Sequence, residues 1–94
     1  MLSKKIILVV NCPDKAGIIA VVSTFLFKRK FNILESSQYK DSKNNHFFMR
    51  VCFTSLDKTK RVSFTKLKKD FLNISKKYYM KFSFFDMSKK QKVL

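Results

Sequence analysis

Lys5-Ile6-Ile7-Leu8-Val9-Val10-Asn11-Cys12-Pro13-Asp14 is the stretch whose reading decides the fold. Residues 5–11 form a short, β-branched apolar run. Such a run reads as a strand buried on both faces, and therefore central in its sheet. Cys12-Pro13-Asp14 ends it, because proline has no N–H to give to a sheet ladder. Asp14 is a good N-cap for a helix that follows. From Ile18 the apolar positions run Ile18, Val21, Val22, Phe25 and Leu26, the inner stripe of an amphipathic helix. Lys28, Arg29 and Lys30 then collect at its end, where the helix dipole favours cations.

Working outward, Phe31 to Lys40 mixes polar and apolar residues and reads as a half-buried strand. Asp41-Ser42-Lys43-Asn44-Asn45 is a turn cluster. His46 to Thr54 alternates, with Phe47, Met49, Val51 and Phe53 on one side and Phe48, Arg50, Cys52 and Thr54 on the other. The two strands make a hairpin. Leu56 to Lys60 is a polar connector. Phe64, Leu67, Phe71, Ile74 and Tyr78 recur at three- and four-residue steps, which predicts a second amphipathic helix with lysines outside. Met80, Phe82 and Phe84 alternate with Lys81, Ser83 and Phe85 in a last strand. The order strand, helix, strand, strand, helix, strand is the split βαβ arrangement. Right-handed crossovers put both helices on one face of a four-stranded antiparallel sheet, an α+β, ferredoxin-like sandwich. Residues 1–87 are expected to form this domain and Ser88–Leu94 a basic linker.

A chain of 94 residues has room for one domain and one modest core. Eleven phenylalanines and no tryptophan point to a core of aromatic rings. The net charge is +15, from 21 basic and 6 acidic residues. Most of the basic residues are lysine, whereas base-edge readers and phosphate clamps lean on the planar fork of arginine. Lysine, asparagine, phenylalanine and isoleucine are also what A/T-rich codons favour, so genomic composition ranks above nucleic-acid binding as the cause. The apolar run at residues 6–10 is too short for a signal peptide, and no stretch approaches membrane-spanning length. A reducing cytoplasm is the expected setting, with Cys12 and Cys52 as free thiols.

Catalysis needs convergent polar groups. The only histidine is His46, at a strand start beside a turn, where a solvated side chain is expected. Cys12 has Lys15 near in sequence but no second histidine to activate it. The acidic residues are scattered, and no set of Cys, His, Asp and Glu has metal-ligand spacing. No catalytic residue, metal or cofactor is expected. The single glycine, Gly17, closes the corner Asn11-Cys12-Pro13-Asp14-Lys15-Ala16-Gly17. A glycine in the first turn of a helix loses stability relative to alanine, but lets a ligand or another backbone approach closely. The free N–H groups of that helix end suit a carboxylate. From spacing alone a tight capped turn without a ligand reads somewhat better than a binding site. RNA-binding proteins of this topology place aromatic residues at set positions of the exposed sheet face. Phe48 fits, but the third strand lacks the glycine-flanked basic-aromatic signature and the first is aliphatic, which argues against a stacking platform. Pairing with another copy or domain is the expected way to hide Phe48 and Phe85.

Cys12-Pro13-Asp14-Lys15-Ala16-Gly17-Ile18-Ile19-Ala20 resembles the opening of ACT domains, regulatory modules that commonly bind amino acids between paired copies. Phe31-Asn32-Ile33, Gln38, the turn at Asp41 and His46-Phe47-Phe48-Met49-Arg50 resemble one branch, the N-terminal ACT domain of formyltetrahydrofolate deformylases. The likeness covers residues 6–87 in outline and 11–53 in detail. It implies regulation of an enzyme that hydrolyses 10-formyltetrahydrofolate to formate and tetrahydrofolate, supplying formate for purine synthesis. The catalytic residues of that family sit in a C-terminal formyltransferase-like domain, into which Ser88–Leu94 would lead, so no catalytic role is carried onto this chain. The resemblance implies a homodimer or higher oligomer, paired through sheet edges and strand–helix loops, and glycine or methionine as effector. The ligand-binding residues it implies are Asn11, Cys12, Asp14, Lys15, Ala16, Gly17 and Ile18, with Asn32 and Ile33 from the second strand. The alternatives are a pairing module without a ligand and, behind it, a basic nucleic-acid-binding domain.

Overall fold

The computed structural model describes residues 5–14, 16–56 and 63–86. The expectations for Lys15, for most of the connector after Leu56 and for Ser88–Leu94 lie outside the described residues. The elements are β1 (Lys5–Pro13), α1 (Ile18–Lys28), β2 (Phe31–Asp41), β3 (His46–Ser55), α2 (Phe64–Tyr78) and β4 (Lys81–Asp86). The strands pair antiparallel in one open sheet of order β2-β3-β1-β4. This is the expected βαββαβ architecture, with β1 inside the sheet.

One face of the sheet carries the core. Ile6, Leu8, Val10 and Cys12 of β1 alternate inward beside Phe47, Met49, Val51 and Phe53 of β3. They share a single cluster with Ile18, Val22, Phe25 and Leu26 of α1 and with Leu67 and Phe71 of α2, so both helices cover the same face. Phe71 is fully buried and meets Phe25, Phe82 and Phe84 edge-on, with ring centroids 5.0, 4.8 and 5.9 Å away. Each such pair adds about 0.5–1.5 kcal/mol beyond the area it buries, so the phenylalanines bind helix to sheet.

Four local expectations are corrected. β1 is buried throughout its inner face but only in part on the other, where Ile7 is buried beside Cys52. Val9 on the other face is 36% exposed, because both helices sit on the inner side. β1 also runs on through Pro13, which pairs with His46. Its register with β4 stops at Asn11, opposite Lys81, so the missing proline N–H falls on the side where β1 has no β4 partner. β2 is an edge strand rather than a half-buried one. Phe31 is buried and Ile33 partly so, but Leu34 to Lys40 are exposed, and a bulge separates Ile33 from Glu35. The fourth correction concerns the cap of α1. Asp14 does not cap the helix; Gly17 occupies the N-cap at φ 84°, with no side-chain hydrogen bond. By contrast, α2 has a side-chain cap, Ser63, whose hydroxyl oxygen accepts from the Lys66 N–H at 3.2 Å.

Candidate functional site

The β1–α1 corner is positioned by backbone and charge together. The Asp14 N–H donates to the carbonyl of Asn45 at 2.9 Å, tying the corner to the β2–β3 turn. The Asp14 carboxylate pairs with Lys40 Nζ at 2.9 Å, across to β2. This pair explains why Asp14 does not reach the helix. α1 then begins with Val21 N–H donating to the carbonyl of Gly17 at 2.9 Å. Its first turn has no side-chain cap and no acidic residue. The positive end of the helix dipole is therefore not neutralised by an acid of its own turn, and its N–H groups are placed to receive a carboxylate.

Gly17 is required for its backbone, not for crowding within the protomer. At φ +84° a side chain is strained, yet a Cβ built there meets nothing within 4 Å. Cys12 is buried beneath the corner. Burial pushes its thiol pKa above the ordinary value, and the nearby Asp14 carboxylate pushes it further. A neutral thiol is a small core hydrophobe rather than a nucleophile.

On the outer face, Asn11 and His46 are bonded side chain to side chain. The atoms that meet are the Asn11 amide oxygen and His46 Nε2. The solvated histidine expected from sequence is instead half-buried and held in place. Its ring lies 5.2 Å from that of Phe48, which lies 5.9 Å from Tyr39. Sequence reasoning missed Tyr39, Lys40 and His46 as parts of the corner. The antiparallel register was the signal for them, since Asn11 faces Phe48 and Phe48 faces Tyr39. Asp41 shapes the adjacent turn. Its carboxyl pKa is held below the usual value, first by the side-chain hydrogen bond from Asn44 at 2.8 Å and further by the backbone N–H groups of Asn44 and Lys43.

The structure divides the sequence-predicted site. Asn11, Cys12, Asp14, Ala16, Gly17 and Ile18 meet at the corner. Asn32 and Ile33 lie elsewhere: Asn32 pairs with Thr54, which faces Lys5. Lys5 and Asn11 are six residues apart on one strand, roughly 20 Å at strand rise. A second recess, of about 440 Å³, runs between α1 and α2. Its polar side is occupied by its own groups, with Arg29 lying 4.0 Å over the Phe25 ring and 3.4 Å from Asp70. Among the described residues no group of His, Cys, Asp and Glu is arranged to hold a metal, and no helix is long and apolar enough to cross a membrane.

The chain is 38% identical over 77 residues to the formyltetrahydrofolate deformylase of Bacillus subtilis, matching 81% of this chain. The solved formyltetrahydrofolate deformylase of Pseudomonas syringae superposes with a TM-score of 0.83 at 28% identity over 97% of this chain. An ACT domain protein from Streptococcus pneumoniae superposes with a TM-score of 0.78 at 25% identity over 93% of both chains. The chain is an ACT domain of the deformylase kind. No family model matches it. The ACT domain spans 25% of the Bacillus relative's length and 30% of the Pseudomonas chain.

Proposed function

We propose that this ACT domain is the regulatory module of a formyltetrahydrofolate deformylase, pairing with a second copy and binding a small amino acid at the β1–α1 corner. The enzyme it serves hydrolyses 10-formyltetrahydrofolate to formate and tetrahydrofolate in the cytoplasm, and the formate feeds purine synthesis. The observation that carries the reading is the conjunction of an acid-free α1 N-terminus with an exposed β2 edge beside it. The helix N–H groups receive the effector carboxylate, and Gly17 leaves open space above the backbone.

The division of the site supports pairing. When two β2 edges run antiparallel, the Phe31–Ile33 end of one copy lies beside the Tyr39–Asp41 end of the other. Asn32 and Ile33 of one copy thereby approach the corner of its mate, and the site is completed only in the pair. Ile19 and Phe27, exposed on α1, and Leu34 on β2 supply apolar surface alongside. Glycine and methionine are the first effectors to test.

Isothermal calorimetry against a panel of amino acids, with sedimentation in parallel, tests both halves. Heat for a small amino acid from a paired sample supports the reading. Pairing without heat for any of them reduces it to an assembly module. A folded protomer that neither pairs nor binds refutes it.

A further inference from the structure

Among the described residues the basic charge is not spread evenly. Lys28, Arg29 and Lys30 close α1, and five lysines lie along α2. All eight are exposed, and Asp70 is the only acidic residue of the described helical layer. Asp70 already faces Arg29 at 3.4 Å and Lys66 at 3.6 Å. Among the described residues the sheet and its turns are nearly balanced. Lys5, Lys40, Lys43, Arg50 and Lys81 are set against Asp14, Glu35, Asp41 and Asp86.

We infer that the helical layer is a docking surface for the phosphate backbone of nucleic acid, read without sequence preference. The outward stripe of α2 is Lys66, Lys69, Asn73, Lys76 and Lys77, all exposed, opposite the buried Leu67, Phe71 and Ser75. Lys66 and Lys77 are eleven residues apart on the helix, roughly 16 Å, over which a duplex presents about five phosphates on each strand. Lysine lacks the planar fork by which arginine clamps phosphate and reads base edges, but it meets phosphate as a point charge on a flexible stem, a contact blind to sequence. Protein–protein interfaces are depleted in lysine and built on buried apolar anchors; the lysine stripe of α2 has none, and the exposed Leu72, Ile19 and Phe27 lie outside it. A membrane-lying helix pushes an apolar face into the lipid, whereas the apolar face of α2 is spent on the core. The open sheet face is the poorer candidate, since its cations are few and offset.

Fluorescence anisotropy with a labelled duplex of about 20 base pairs, titrated across salt, reads the contact. A log–log slope of about −4 is expected for four to five neutralised phosphates. Two quadruple variants separate a surface from mere charge. Lys66→Gln, Lys69→Gln, Lys76→Gln and Lys77→Gln together should weaken binding at least tenfold more than Lys5→Gln, Lys43→Gln, Arg50→Gln and Lys81→Gln together. Both variants lose four charges, and circular dichroism establishes that each remains folded. Should the helix variant unfold, Lys66→Gln with Lys69→Gln is compared with Lys5→Gln with Lys81→Gln, with the same ordering expected. Equal losses in the two variants overturn the inference. So does equal binding to polyglutamate, or binding to phosphatidylglycerol vesicles without binding to the duplex.

Discussion

Replacing Gly17 by alanine isolates a backbone cost, because the structure removes the steric one. The residue sits at φ 84° and ψ 2° as the N-cap of α1. An added Cβ meets nothing within 4 Å, so the whole penalty is the left-handed conformation. That conformation costs an L-residue about 1–2 kcal/mol. Alanine also narrows the unfolded ensemble, which returns about 0.4–1 kcal/mol. The net loss is about 1 kcal/mol, read as a fall in Tm of about 4–8 °C for a domain of this size. Asparagine adopts the left-handed region more readily, and β-branched valine least readily of the three. The expected order of stability is therefore Gly17, then Gly17→Asn, then Gly17→Ala, then Gly17→Val, measured by urea unfolding with far-ultraviolet dichroism. An alanine variant as stable as the parent, or an asparagine variant less stable than the alanine one, refutes the reasoning. Calorimetry on the asparagine variant then separates the two roles of Gly17: near-native stability with lost effector heat assigns the open space to the ligand.

Phe71→Ala removes the ring shared by Phe25, Phe82 and Phe84 and should cost about 3–5 kcal/mol, a large part of the stability of a domain this small; a loss under 1 kcal/mol in denaturant titration would contradict the packing. Ser63→Ala deletes the side-chain cap of α2 and should cost about 0.5–2 kcal/mol, with Ser63→Asp close to neutral in the same titration. The lowered pKa of Asp41 sets a direction for acid. Its contribution is fully present above the ordinary carboxylate value and is lost as pH falls through the lower folded value, so Asp41→Ala should flatten the stability-against-pH curve at its acid end and leave its slope near neutrality unchanged. The raised pKa of Cys12 means that Ellman's reagent should label the folded domain slowly at neutral pH and faster once urea exposes both thiols; rapid labelling of Cys12 in the native state would show that the corner opens.

The fold was legible because β3 and the two helices each carry one dominant period and β1 is a continuous β-branched run. Phe47, Met49, Val51 and Phe53 all turn inward as alternation requires, and Leu67 and Phe71 are buried as the helical spacing implies. β2 was misread because Leu34 and Tyr39 look half buried in the sequence, whereas an edge position leaves them 45% and 64% exposed. The apolar run of β1 announced a central strand, whereas the mixed pattern of β2 did not distinguish an edge from a half-buried position. The corner was legible as a stretch of chain but not as an assembly. Asp14 favours an N-cap by type, yet Lys40, distant in sequence, captures its carboxylate. His46 joins Asn11 through a register set 35 residues apart, a long-range pairing that a turn-side histidine does not announce.

The bulge at Leu34 sets a limit on company. An incoming strand meets a straight ladder only along Glu35–Asp41 and must bend to continue toward Phe31. The register break thus shortens the run over which any second strand could zip onto β2.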